Sequence, residues 1–209
     1  MTESRTDEVM EPDLSRLLVQ LLQVLLAFFL GQTLIQNREV LQQLGEAGTW
    51  VPLLAIIAVV AFAVDGWVDW HVDVDRHPFQ IGPSNPHRRW GLARFWLDVA
   101  FVLTIGYLGQ TIVTVAEDGA LITRHLTGYV VAHLLVAAAG RCRDVTYSGD
   151  RDGDTFVQLV TAAVLVVVVL VYRALHDGDG SAENVVVLLV VIAINIAHHA
   201  VLRGRRMIA

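Results

Sequence analysis

Long apolar blocks alternate with short polar segments along this chain, and the blocks are as long as a bilayer is thick. Leu17 to Asn37 contains no charge, with Gln20, Gln23, Gln32 and Gln36 as its main polar members. Further blocks follow at about 50–70, 95–116, 119–140, 155–175 and 185–202. A helix crosses the hydrocarbon core with roughly 20 apolar residues. The stretch from Ala162 to Val171 is almost pure Val, Leu and Ala. In lipid such a run forms a helix, because a helix satisfies its own backbone hydrogen bonds. The pattern predicts an all-α polytopic transmembrane bundle of six spans. Residues 1–13 form an acidic tail, 14–203 the membrane domain and 204–209 a basic tail, with Asp13 as the expected cap of the first helix.

Composition agrees. Of the 209 residues, 55% are hydrophobic and the mean hydropathy is +0.54. Soluble domains usually stay near 45–50% apolar. Six spans and their connections use nearly the whole length, leaving no room for a soluble domain of ordinary size. The acidic N-terminus and the long first block do not read as a cleavable signal peptide. Cys142 is the single cysteine, so no intramolecular disulfide forms.

Charge sets the expected orientation. The basic residues are all Arg. One side of the membrane receives Arg5, Arg16, Arg76, Arg88, Arg89, Arg94, Arg141, Arg143, Arg151, Arg203, Arg205 and Arg206. The other receives only Arg38, Arg124 and Arg173. The positive-inside rule makes the Arg-rich side cytoplasmic, so both termini are expected there, in a cell (plasma) membrane. Trp50 and Tyr172 fall at the outer boundary, and Trp67, Trp70, Trp90 and Trp96 at the inner one, as interfacial anchors.

Ionisable groups inside a membrane are costly and mark functional sites by default. Asp65, His133, Asn195 and His198 lie roughly 15–22 Å below the outer ends of their spans, at 1.5 Å per residue. Asp98 sits one turn above the inner start of its span. Asn195, His198 and His199 share a helical face through their i, i+3, i+4 spacing. These six residues form a candidate ion or proton pathway, since imidazole titrates near neutrality. The competing reading of Asp98 is an interfacial ion pair with Arg94, one turn earlier.

The segment after the second span is the most polar of the chain. As a helix, it aligns Asp65, Asp69, Asp73 and His77 in an i, i+4 ladder that Pro78 ends. As an extended strand, it puts His71, Asp73, Asp75 and His77 on one face, where neighbouring pairs could take a metal. A solvated loop is the plainer reading. No cofactor is expected, a divalent metal being the one alternative. Arg88, Arg89, Trp90 and Arg94 form a basic, aromatic patch suited to anionic lipid or a partner protein. Asp150, Asp152, Gly153 and Asp154 read as a turn into the fifth span, and His176 to Gly180 as a turn on the opposite side.

The stretch Arg94-Phe95-Trp96-Leu97-Asp98-Val99-Ala100-Phe101-Val102 resembles the E-L-F-F-D-L-V-F-V opening of low-temperature-requirement A membrane proteins. More distantly, it is similar to the R-x-x-x-F-S-D helix of lysosomal-type potassium channels. Arg94 stands where the first family has an acidic residue, and the match covers nine residues of the third span. The resemblance singles out Asp98 and Phe101.

Two functional expectations follow. One is a small proton or cation channel or transporter built on the Asp/His layer. The other is a non-catalytic membrane subunit, sensor or scaffold that uses the 71–94 loop. Glycines and alanines at Gly106, Gly109, Ala137 to Gly140, Ala193 and Ala197 would permit close helix contacts, so a homo-oligomer or membrane-complex subunit is expected. Nucleic acid is not an expected partner. A metal-dependent enzyme ranks third, because no phosphate-binding glycine loop, G-x-S-x-G or H-E-x-x-H is present.

Overall fold

The computed structural model describes residues 4–43, 50–115, 119–147, 154–175 and 181–208. These residues form helices α1 (Ser4–Gln36), α2 (Arg38–Gln42), α3 (Trp50–Arg76), α4 (Arg88–Val115), α5 (Gly119–Thr146), α6 (Asp154–Leu175) and α7 (Ser181–Ile208). All but the five-residue α2 are long and apolar enough to cross a membrane. The protein is therefore an all-helical, multi-pass architecture suited to membrane embedding.

Five of the long helices close a ring. Each of α3, α4, α5, α6 and α7 packs on the next, and α7 returns to α3. α1 lies outside this ring, against α4 and α3. Its closest approach depends on missing side chains. A Cβ on Gly106 would come 2.6 Å from the Phe29 ring, and one on Gly109 would overlap Thr33. Gly106 and Gly109 of α4 therefore permit a close helix contact within the chain. Similarly, a Cβ on Gly140 would come 2.7 Å from the Thr155 hydroxyl of α6.

Several helix limits differ from expectation. α1 begins at Ser4, so Asp13 lies inside the helix and not at its start. α3 continues beyond residue 70 to Arg76, which settles the polar segment in favour of the helical ladder. It stops where His77 precedes Pro78, because proline disfavours helical geometry in the residue before it. The connection to α4 is short, spanning 77–87. The Asn85 side chain accepts from the His87 amide at 2.8 Å, and Arg88 N donates to the Asn85 carbonyl at 3.1 Å, which turns the chain into α4.

This connection is partly buried, although Pro78, Pro83, Ser84 and Pro86 are exposed. Phe79 and Ile81 are buried, Phe79 packs edge-to-face on Phe95 at 5.8 Å, and the Phe79 amide donates to Ser15 Oγ at 3.1 Å. A Cβ on Gly91 would overlap the Gln80 carbonyl, so the segment lies directly on α4. The lipid-facing exterior carries the large exposed apolar side chains, Phe156, Val167, Leu170, Val186 and Ile196 among them. Trp50, Trp67, Trp90 and Trp96 are exposed, whereas the Trp70 indole points inward. The turns expected at 150–153 and 176–180 lie outside the described residues.

Candidate functional site

A partly open cavity of about 80 Å³ lies between the helices of the ring, and all five contribute to its lining. Room for one water takes only about 10–15 Å³, so the space suits several waters. α3 presents a stripe at helical spacing: Phe62, Gly66, Asp69, Trp70 and Asp73. α4 adds Asp98 and Phe101, α5 adds His133 and Arg143, α6 adds Asp154 and Gln158, and α7 adds His198 and His199. Four carboxylates, Asp69, Asp73, Asp98 and Asp154, therefore line the space together with the Arg143 guanidinium.

The histidines form a connected set. His133 Nδ1 lies 2.7 Å from Gln158 Oε1, and its Nε2 lies 3.1 Å from Asn195 Oδ1. A neutral imidazole has one donor, so it needs one of these amides turned to present its NH2; an imidazolium takes both oxygens. Two rotatable amides thus accommodate every protonation state of His133. Its ring meets His198 edge-on, with centroids 4.9 Å apart, and His198 meets His199 at 5.2 Å.

Tautomers follow from the partners. The Thr161 hydroxyl donates to the Val157 carbonyl at 2.9 Å, so it accepts from His198 Nδ1–H at 2.8 Å. His199 Nδ1–H donates to Asp69 Oδ2 at 2.7 Å. The row His133, His198, His199, Asp69 therefore crosses the cavity from α5 through α7 to α3. His133, His198 and His199 are all buried.

Towards the Arg-rich end, Asp73 closes the cavity with two guanidinium groups. Arg94 donates to Asp73 Oδ2 at 2.9 Å, and Arg143 to Asp73 Oδ1 at 2.6 Å. The other Arg94 nitrogen donates to the His77 carbonyl at 2.6 Å, and its guanidinium lies 5.1 Å from the Phe79 ring centre. Arg94 is therefore committed to α3. The expected Arg94–Asp98 pair does not form, and Trp70 Nε1 donates to Asp98 Oδ2 at 3.0 Å instead. Burial also removes Arg94 from the basic patch, which leaves Arg88, Arg89 and Trp90 exposed on the first turn of α4.

Five of the six predicted pathway residues come together: Asp98, His133, Asn195, His198 and His199. Asp65 does not join them. It directly precedes Gly66 of the lining stripe, so its side chain points about 100° away and meets Arg203 at 2.7 Å on the outer flank of α3 and α7. Asp69, Trp70, Asp73, Arg143, Gln158 and Thr161, none of them among the six pathway candidates, lie with these five. Asp69 and Asp73 were visible as members of the acidic ladder. Arg143 was placed in a loop because α5 was ended too early.

The four metal candidates separate. Because α3 is helical here, His71 faces Asp75 at 3.8 Å while His77 faces Asp73 at 3.3 Å, and Asp73 is already held by two arginines. His71 also meets Gln23 of α1 at 3.3 Å. Among the described residues no three His, Cys, Asp or Glu side chains converge to hold a metal ion.

Comparison with protein-family models, curated proteins and solved structures finds no match. The nine-residue resemblance at 94–102 therefore assigns no family, although Asp98 and Phe101, the two residues it singles out, both line the cavity.

Proposed function

We propose that the protein conducts protons, or couples to them, through the imidazole–carboxylate cluster inside the α3–α7 ring. The observation that carries this reading is the buried row His133, His198, His199 and Asp69 beside a water-sized cavity that also holds Asp98. Imidazole accepts a proton on one nitrogen and releases one from the other near neutral pH, which suits it to relay. The amides flanking His133 let it change state without losing its hydrogen bonds.

In this reading the Arg-rich end faces the cytoplasm of a plasma membrane. The arginine bias supports that orientation even when the buried Arg94 and Arg143 are set aside. The Asp73–Arg94–Arg143 network then forms the cytoplasmic floor of the cavity. Purified protein in liposomes should acidify or alkalinise the lumen under an imposed membrane potential, and should pass protons in preference to sodium. No proton movement above that of protein-free liposomes would refute the reading.

A second reading keeps Arg88, Arg89 and Trp90 as a docking patch for anionic lipid, because all three remain exposed at the start of α4. Each arginine near an anionic surface contributes about 1 kcal/mol. Arg88→Glu with Arg89→Glu should then weaken binding to anionic vesicles, and equal binding across salt concentrations would exclude it.

A further inference from the structure

The proposed function accounts for one half of the bundle interior. The other half holds two buried polar groups that it leaves unused. His125 and Tyr129 lie one turn apart on α5, both at 0% exposure. The Thr111 hydroxyl of α4 donates to the Leu108 carbonyl at 2.9 Å, so it accepts from His125 Nδ1–H at 2.8 Å. That leaves His125 Nε2 as an acceptor. His125 Nε2 and the Tyr129 hydroxyl have no hydrogen-bond partner among the described residues. Their rings meet edge-on at 5.4 Å.

An acceptor and a donor in the same helical turn complement each other through a bridging water. The water would accept from Tyr129 and donate to His125 Nε2. Leaving both groups unpaired in the interior of a membrane bundle is costly, which is the usual reason for an ordered internal water.

One side chain of α3 touches both this pair and the His133 cluster, whose nearest members, Tyr129 and His133, lie one turn apart on α5. Phe62 of α3 packs edge-on against Tyr129 at 5.3 Å, against Phe101 at 5.9 Å, and tilted against His133 at 5.4 Å. It is 3% exposed and lies where α3, α4 and α5 face one another. Phe62 offers no hydrogen-bonding atom, so a relay of imidazoles and waters is interrupted at its ring.

We infer that His125 and Tyr129 form a second, water-bridged proton site, insulated from the His133 cluster by the Phe62 ring, which acts as the barrier between the two halves of the path. Protons cross when the Phe62 ring moves from between Tyr129 and His133. The inference rests on the proposed function, because it supplies the other half of the same path. It requires no group beyond those of this chain and water.

The test compares proton flux from liposomes holding the full chain, driven by a potassium diffusion potential. Wild type, Phe62→Ala, Phe62→Leu and His125→Phe are compared at matched reconstitution, with intact monodisperse protein confirmed for each. Phe62→Ala should raise flux severalfold, Phe62→Leu should raise it less, and His125→Phe should lower it below wild type. The double variant Phe62→Ala with His125→Phe should lose the gain.

Wild-type flux that none of these changes alters would overturn the inference and leave the proposed function standing. Flux that appears only with Phe62→Ala would support the barrier and contradict conduction by the native chain. Flux from no variant at all would overturn both. If Phe62→Ala fails to fold, Phe62→Leu decides: a gain that His125→Phe suppresses supports the barrier, and no gain refutes it.

Discussion

Asp73 joins three helices through two buried arginines, so replacing it with Asn tests the packing on which the site depends. The Arg94 and Arg143 side chains are 3% and 5% exposed, whereas Asp73 retains 23%. Removing one partner of a buried ion pair costs about 3–5 kcal/mol, because the remaining charge keeps its desolvation penalty. Here two arginines are left, but water reaches the Asp73 edge, and Asn retains one accepting oxygen. The expected loss is therefore near the lower limit, about 3 kcal/mol.

Equilibrium unfolding in mixed micelles, titrated with a denaturing detergent, reads this as an earlier transition. A double-mutant cycle sharpens the test. Arg143→Met should be strongly destabilising in the wild type and less so beside Asp73→Asn, where the Asp73 contact is gone and the bond to Asp144 at 3.2 Å remains. Coupling of about 0.5–3 kcal/mol is usual for groups sharing one network. Unchanged stability of Asp73→Asn, or strict additivity with Arg143→Met, would refute the network as a structural lock.

The α1 contact makes a second prediction: Gly109→Val should destabilise the protein by about 1–3 kcal/mol through overpacking against Thr33. Gly31→Ala, which meets open space, should leave the unfolding transition in place. Equal behaviour of the two variants would show that α1 does not seat on α4 as described. Orientation is tested by reporter fusions after residues 45, 118 and 179, expected outside, and after 85, 148 and 209, expected in the cytoplasm. A cytoplasmic signal at 179 would remove the six-span orientation.

The membrane architecture was legible because its signal is the length of uncharged runs, which needs no tertiary information. Helix ends were less legible. The polar stretches 71–76 and 141–146 lie beyond the expected spans, yet α3 and α5 continue through them, and Asp73 and Arg143 find each other across the bundle. Hydropathy cannot separate a charge that meets headgroups from one that meets a partner on another helix. The same limit explains the Arg94 error. Spacing along one helix suggested Asp98 as its partner, but the better-placed carboxylate came from a different helix.

Candidate residues at a shared depth come together where helical phase also agrees. His133, Asn195 and His198 met both conditions, and Asp65 met only the first. Trp70 was assigned to the interface by residue type, whereas its indole N–H is used by Asp98. Asp69 and Gln158 depended on which face of each helix turns inward, and that follows only from the closure of the ring.

His133 is the centre of the account, because it touches α6 and α7 through its two amide partners and α3 through Phe62. The most direct measurement is proton flux from His133→Gln in liposomes, beside wild type under the same imposed potential. Gln can hydrogen-bond Gln158 and Asn195 but cannot take up and release a proton near neutral pH. The account predicts a folded, normally inserted protein that no longer carries protons; flux from His133→Gln equal to that of wild type would contradict it.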